Sequence, residues 1–331
     1  MSQATGAVAD GDRGGSQRLR LLLLANPHAS TTDDAVQRRV TTALCRRHAV
    51  EAVRTGHKGH AIELSRAAAA EGFDAVVALG GDGTINEAAN GLVGTRTALA
   101  PLPGGATNVY CRMLGLPSDL AAACAMLGGR EHHVVRADVG RVNDRWFTFA
   151  AGVGLDASAV ERVDRRPRIK ARWGKWFFAS MGLSVFLGDY VTDPVRMEVE
   201  TAESRHEAVT VLMQNGSAYT YFGERPIVLL PHGGLFSGDL GGVALRRAKV
   251  RDLAPVLWRA LSARRPVTGH PAVRALETGD GLVVRTRDER LLPIQVDGDN
   301  IGRHSEARFA VAPGALRVLR GGTQPPPGVT R

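Results

Sequence analysis

Between Arg18 and about Ala137, short apolar runs alternate with segments whose apolar positions recur every three to four residues. Leu19–Ala25, Ala75–Leu79 and Thr97–Pro101 predict strands; Asp33–His48, His60–Glu71, Ile85–Leu92 and the segment opening at Asn108–Leu114 predict helices. That alternation predicts an α/β domain with a parallel sheet. Beyond it the pattern changes. Trp146–Phe149, Arg196–Val199, Val209–Gln214, Ile227–Leu230, Gly242–Leu245, Leu282–Thr286 and Leu292–Val296 are short strand candidates between Gly, Pro and charged turns, which predicts a β-rich second domain. Helical insertions are expected at Ala157–Tyr190 and at Asp252–Ser262, with Pro255 in the first turn of the latter. No internal repeat is visible.

Composition narrows what such a chain can be. Its 331 residues amount to about two domains, and 44% hydrophobic against 23% charged residues excludes wholesale disorder. Frayed tails are expected only at 1–17, rich in Gly, Ser and Ala, and at 321–331, which holds Pro325–Pro327. The 42 Lys and Arg exceed the 33 Asp and Glu, and the formal charge of +9 favours an anionic partner: nucleotide, acidic membrane or nucleic acid. Nucleic acid is set aside, because aromatics are 5% and never interleave with basic residues on one strand. Cys45, Cys111 and Cys124 form no Cys-x-x-Cys pair, so neither a disulfide framework nor a thiolate zinc site is expected, and a reducing compartment fits. Leu21–Leu24 is too short for a signal-peptide core, and Trp176–Val191 carries Asp189 and falls short of the roughly 20 residues of a membrane span. The expected location is cytoplasmic, with peripheral contact at the inner face of an anionic membrane.

The sharpest chemical feature is Gly80-Gly81-Asp82-Gly83-Thr84-Ile85-Asn86-Glu87, directly after an apolar strand and directly before a helical pattern. Glycines there let the backbone approach a ligand, and the free N–H groups of the next helix favour a phosphate. A carboxylate at Asp82 suits phosphates if Mg²⁺ lies between them, or if it orients an attacking hydroxyl. The plain alternative is a tight turn with Asp82 or Thr84 as helix cap. A second strand-to-loop-to-helix unit, Pro103-Gly104-Gly105-Ala106-Thr107-Asn108, would point into the same crevice, or is a turn capped by Thr107 or Asn108. Asn26-Pro27 ends the first strand and reads by itself as an ordinary turn. Late in the chain, Asp297-Gly298-Asp299 places two carboxylates around a glycine at a strand end: a general base for an attacking alcohol, or an Asp-Gly hairpin turn.

These motifs, in this order, resemble the diacylglycerol kinase catalytic-domain superfamily, which includes bacterial lipid kinases, sphingosine kinases and ceramide kinases. The resemblance spans most of Leu19–Leu319 and rests on Asn26-Pro27, Gly80–Thr84, Pro103–Asn108 and Asp297–Asp299; Phe147–Asp156 and Met213–Gly223, including Asn215, match more weakly. It implies an α/β nucleotide-binding domain over 18–137, a β-sandwich-like lipid-binding domain over 138–308, and a final strand over 309–320 that returns to the first domain. It implies ATP held by Asn26, Thr55, Gly80, Gly81, Asp82, Gly83, Thr84, Asn86, Glu87, Gly104, Gly105, Thr107 and Asn108. Asp82 would act through Mg²⁺ or orient phosphates, and Asp299, supported by Asp297, would take the proton of a lipid hydroxyl, diacylglycerol-like or sphingoid. The reaction implied is in-line phosphoryl transfer within phospholipid metabolism, and a homodimer is among the expectations.

Two departures qualify the match. The family usually closes the last motif with Glu where Asp299 stands, which leaves the base open between Asp297 and Asp299. Bacterial members often hold a structural Mg²⁺ through an Asp-Gly-Leu-like segment; here Ser237 falls at that aspartate, and Asp239 is a candidate to take its place that the match does not establish. The basic run from Arg162 to Lys175 beside Trp173, Trp176, Phe177 and Phe178 would suit an anionic bilayer, or is a solvated face beside a core helix. His57, Lys58 and His60 read as surface loop residues, and Cys111 as packing. Competing readings are a kinase of a soluble acceptor, like the NAD kinases, and a nucleotide- or lipid-binding regulator without catalysis.

Overall fold

The computed structural model describes residues 18–27, 29, 32–154, 157–158, 194–231, 234–247, 249–262, 264–277 and 281–322. The chain divides into two compact units: the first runs to Val139 and resumes at Pro313, and the second is Gly140–Ala312.

The first unit carries β1 (Arg20–Ala25), α1 (Asp34–Cys45), β2 (Ala49–Arg54), α2 (His60–Ala70), β3 (Ala75–Gly80), α3 (Asp82–Leu92), β4 (Ala98–Pro103), α4 (Val109–Met113) and α5 (Leu120–Leu127). Its sheet orders β2-β1-β3-β4, all parallel, with Leu21 opposite both Val50 and Ala75, and Val76 opposite Leu99. Val318, near the end of β18 (Glu306–Gly321), pairs parallel with Leu99 as the next strand. Parallel strands need helical crossovers, and the helices cover both sheet faces, so the inner strands are apolar in unbroken runs, Leu21–Ala25 in β1 and the whole of β3 and β4, rather than at every second position. Leu21, Leu23, Val77, Leu79, Ala100 and Leu102 pack with Val40 and Leu44 of α1 and Ala123 and Leu127 of α5. The intervening Leu22, Leu24, Val76, Ala78 and Leu99 face the other way and are equally buried.

The second unit is antiparallel. One sheet orders β14 (Val273–Glu277), β13 (Gly241–Leu245), β10 (Thr210–Gln214), β7 (Ala150–Gly154), β16 (Leu292–Val296) and β17 (Asp299–His304). In the other, β15 (Leu282–Thr286) lies between Glu306–Phe309 of β18 and β8 (Met197–Thr201), which pairs with β9 (Arg205–Ala208). Here the sequence alternates as half-buried strands require: Met197 and Val199 point inward, and Glu198 and Glu200 outward. Met197, Val199, Leu282, Val284 and Phe309 of this sheet share one core with Ala151, Val153, Val211, Met213, Ile294 and Val296 of the other. A hairpin joins the end of β5 (His132–Val142) to β6 (Arg145–Phe147), and β11 (Thr220–Phe222) with β12 (Arg225–Ile227) forms another. Helix α6 (Val250–Ser262) packs Val256 and Ala260 on a smaller core of Val209, Val243, Leu245 and Val267.

An α/β unit with a parallel sheet and a mostly β unit are what the hydrophobic pattern predicts. Details differ. The strand expected over Ile227–Leu230 stops at Ile227, because the buried Gln214 side chain takes up the backbone beyond it: its amide donates to Leu230 O (2.8 Å) and its carbonyl accepts Leu229 N–H (3.2 Å). Helix α6 begins at Val250, so Pro255 sits in its second turn rather than its first. The final strand starts at Glu306, three residues before the expected 309. The helical insertion expected at Ala157–Tyr190 and the basic run within it lie, apart from 157–158, outside the described residues.

Candidate active site

The four parallel strands of the first unit end side by side, with Ala25 opposite Arg54 and Leu79, and Gly80 opposite Pro103. The segments that leave them therefore gather at one edge of the sheet: Asn26 after β1, Thr55 after β2, Gly81–Thr84 after β3 and Gly104–Asn108 after β4. The winding of the sheet reverses between β1 and β3, and in open parallel sheets ligands sit beyond the strand ends at such a point. Asn26 bridges it. Its N–H donates to Leu79 O (3.2 Å), and its side-chain amide donates to the Thr84 hydroxyl (2.9 Å). Thr55 is buried, its N–H donating to Ala25 O (3.0 Å).

Neither Asp82 nor Thr84 caps α3. The N-cap is Gly81, which has no side chain to offer, and the first-turn N–H groups, without partners inside the helix, point outward with the positive end of the helix dipole. The contrast is internal, since α1 and α5 are capped by Asp33 (Val36 N–H, 2.7 Å) and Asp119 (Ala122 N–H, 2.8 Å). A hollow of about 620 Å³ beside Pro27 is bordered by Thr32, Asp33, Asp34 and Arg38 at the capped end of α1. The second glycine loop lies on the first, with Gly104 N–H donating to Gly80 O (2.9 Å). A Cβ on Gly105 would stand 2.6 Å from Gly81 Cα, and one on Gly104 2.9 Å from Gly80 N, so this approach is open to glycine alone. Asn108 adopts the left-handed conformation (φ 50°) and clamps the loop, accepting Gly105 N–H (2.8 Å) and donating to Gly105 O (2.9 Å). The hydroxyl of Thr107 makes no hydrogen bond among the described residues.

The acidic and polar side chains of this edge divide by task. Asp82, the first residue of α3, accepts Tyr110 N–H (3.3 Å) and so reaches across to the helix after the second loop. Burial, and then the Asp82 charge, push the Cys111 thiol well above its ordinary value, which makes it inert packing. Glu87 is taken up by the framework: its carboxylate accepts Gly59 N–H (2.8 Å) and Ala61 N–H (3.3 Å), capping α2, whose own N-cap is a glycine. Asn86 is buried and accepts from Asn90 (3.2 Å). His57, His60 and Glu63 bring three ligand atoms within 4.8 Å of one another. His60 Nδ1 already accepts Gly56 N–H (3.0 Å), which places the neutral ring's proton on Nε2 and leaves the cluster one lone pair short. Neither Asp82 nor Asp239, which is exposed, stands in a group of three such ligands among the described residues.

The second unit separates the two late aspartates. Asp297 (φ 48°) and Gly298 (φ 83°) form the two-residue turn between β16 and β17, so the Asp-Gly hairpin is real. The Asp297 carboxylate is buried and accepts four hydrogen bonds: from the Thr148 N–H and hydroxyl (2.7 Å each), Phe149 N–H (3.0 Å) and Ala150 N–H (2.9 Å). Burial pushes its carboxyl above the usual range against the pull of those donors. Asp299, two residues on, is half-buried, and its carboxylate takes up no hydrogen bond among the described residues. Sequence reasoning had no place for Thr148, whose hydroxyl and N–H serve Asp297 while its carbonyl accepts the Asn215 amide (2.9 Å). Residues 148–150 thus surround the Asp297 carboxylate, and Asn215 is tied to them through Thr148. The signal for Thr148 was its place in the weaker of the matched segments.

Residues 20–142 match the family model of the diacylglycerol kinase catalytic domain. The chain is 27% identical over 236 residues to a diacylglycerol kinase of Staphylococcus saprophyticus, which covers 70% of this chain and 72% of the relative. It is 40% identical over 100 residues to the diacylglycerol kinase of Bacillus subtilis, covering 29% of this chain and 32% of the relative. Among solved structures, a crystal structure of a diacylglycerol kinase from Bacillus anthracis shares its fold, with a TM-score of 0.69 and 21% identity over 91% of this chain and 97% of that one.

Proposed function

For a chain whose residues 20–142 belong to the diacylglycerol kinase catalytic-domain family, we propose transfer of the γ-phosphate of ATP to the hydroxyl of a lipid, diacylglycerol first and a sphingoid base second. The observation that carries this reading is the pair of interlocked glycine loops around the uncapped N-terminus of α3, at the point where the winding of the sheet reverses. Backbone N–H groups there would hold the phosphates, with Thr107 and the Asn26-Thr84 pair as polar walls. Phosphoryl transfer asks little covalent chemistry of a protein and much positioning, which a clamped loop supplies.

Asp82 fits a divalent cation of the Mg²⁺ type, because such an ion is commonly held by one or two carboxylates together with substrate phosphates rather than by a full protein cage. When bound, the ion neutralises phosphate charge. In the transfer, the acceptor oxygen bonds to the γ-phosphorus as the bond to the β-phosphate oxygen breaks, and ADP leaves with that electron pair. The acceptor's proton goes to a carboxylate. Asp299 is assigned this role and Asp297 is not, since the Asp297 oxygens are already occupied by four donors whereas Asp299 is open.

The test is transfer from γ-labelled ATP, with Mg²⁺, into mixed micelles of diacylglycerol, sphingosine, ceramide or phosphatidylglycerol. A labelled product in the organic phase, reduced at least about a hundredfold by Asp82→Ala, is expected. Label passing only into a water-soluble acceptor, or nucleotide binding without any transfer, overturns the lipid reading.

A further inference from the structure

Five large apolar side chains are exposed among the described residues, and three of them, Leu257, Trp258 and Leu261, lie on α6 at 43%, 50% and 49% exposure. With Ala254 they fall at i, i+3, i+4 and i+7, a single stripe along the helix. That stripe is not the one that anchors α6. The anchoring face carries Asp252, Val256 and Ala260 at intervals of four, with Val256 and Ala260 on the core and Asp252 buried against Arg247 (2.7 Å). A surface helix ordinarily has one apolar face, turned inward; α6 has a second, turned to solvent, and contiguous exposed apolar surface marks an interaction site.

Charge selects the partner. Between 246 and 265 the chain carries seven Lys or Arg against the single acid Asp252, which Arg247 already neutralises. Arg251 lies three residues before Ala254 on the same stripe, and Arg264 and Arg265 follow the helix end. All three are exposed, and none is in an ion pair among the described residues. A second copy of this chain docked symmetrically on the stripe would bring these arginines against themselves, whereas an anionic lipid surface complements them. We infer that α6 is the helix on which the protein rests on an anionic lipid surface, with Leu257, Trp258 and Leu261 among the headgroups and Arg251, Arg264 and Arg265 on lipid phosphates. The inference rests on the lipid-acceptor reading, which requires an enzyme that reaches a substrate confined to a bilayer.

Co-sedimentation of the full chain with vesicles of phosphatidylcholine, with and without phosphatidylglycerol, tests it without nucleotide or acceptor. The wild type is expected to bind the phosphatidylglycerol vesicles selectively. Leu257→Gln with Leu261→Gln weakens that binding by about tenfold through lost apolar contact, and Arg251→Gln by roughly fivefold. Both variants keep the wild-type circular dichroism and the wild-type transfer rate to a short-chain acceptor dissolved in water. Wild-type binding indifferent to phosphatidylglycerol, or variants that bind as the wild type does, overturns the inference. So does a wild-type dimer that the double substitution makes monomeric without any vesicle binding. Selective vesicle binding with no lipid phosphorylated in micelles leaves the docking helix standing and removes the acceptor reading instead.

Discussion

The two aspartates that flank Gly298 show how little a residue type says without its hydrogen-bond partners. Asp297 accepts three backbone N–H groups and a hydroxyl, so Asp297→Ala leaves four buried donors unserved and is expected to destabilise the second unit by about 3 kcal/mol or more, measured by urea unfolding. Asp299 has nothing of this kind to lose. Asp299→Asn should therefore leave the unfolding midpoint within the scatter of the wild type while kcat for lipid phosphorylation falls roughly a hundred- to ten-thousand-fold. A loss of stability in Asp299→Asn, or full activity with it, would reverse the assignment. The sequence presented both residues as one acidic pair at a strand end, and no spacing rule could separate them. What separates them is the positive φ of Asp297, which turns its carboxylate back onto residues 148–150, nearly 150 positions away in the chain.

At the scale of elements, the site edge is a contact between two loops that admits no side chain. Gly105→Ala places a Cβ 2.6 Å from Gly81 Cα, backbone against backbone, so the loops must part. Gly81→Ala meets only Gly105 Cα at 3.5 Å, an ordinary van der Waals distance. The expected result is a KM for ATP raised about tenfold or more by Gly105→Ala, and a smaller rise for Gly81→Ala, in parallel saturation curves. Equal effects would mean that the close approach does not shape the site. The strands beneath these loops were legible because double-sided burial writes itself as unbroken runs such as Leu21–Leu24 and Ala75–Leu79. Strand β2 was not, because an edge strand in Ala-Val-Glu-Ala-Val-Arg is exposed at most positions and carries no such run. Nor was the capping of α2 by Glu87, since an apolar-polar pattern is silent about which helix a buried carboxylate serves. The glycine motif was legible as a strand-to-helix turn, but not that the carboxylate of its last residue, Glu87, is hydrogen-bonded to the first turn of α2.

Across the whole molecule, the sequence announced an excess of positive charge but not where burial would forbid it. His48 is almost wholly buried in the first unit, its ring edge-to-face with His132 at 5.1 Å, and burial first, then the neighbouring His132, lower its proton affinity. Burial and then Arg320 lower that of His133, and burial and then Arg274 that of His206 in the second unit. A histidine whose folded pKa is depressed binds fewer protons folded than unfolded, so unfolding takes up protons once the pH falls below the ordinary histidine value of about 6.5. The stability these groups allow is complete above that value and declines as acid reaches the unfolded chain. Thermal midpoints should accordingly be flat from pH 8 to about 7 and fall between about pH 6.5 and 5, a window above the range in which most carboxylates titrate. His48→Leu removes the most buried of the three titrating rings, so its midpoint should change less with pH across that window than the wild type's, whatever its value at pH 8. Parallel curves for variant and wild type would show that His48 does not contribute to the acid sensitivity. If instead the wild-type midpoint rises as the pH falls from 6.5, these histidines gain rather than lose protons on folding, and the burial argument fails for all three.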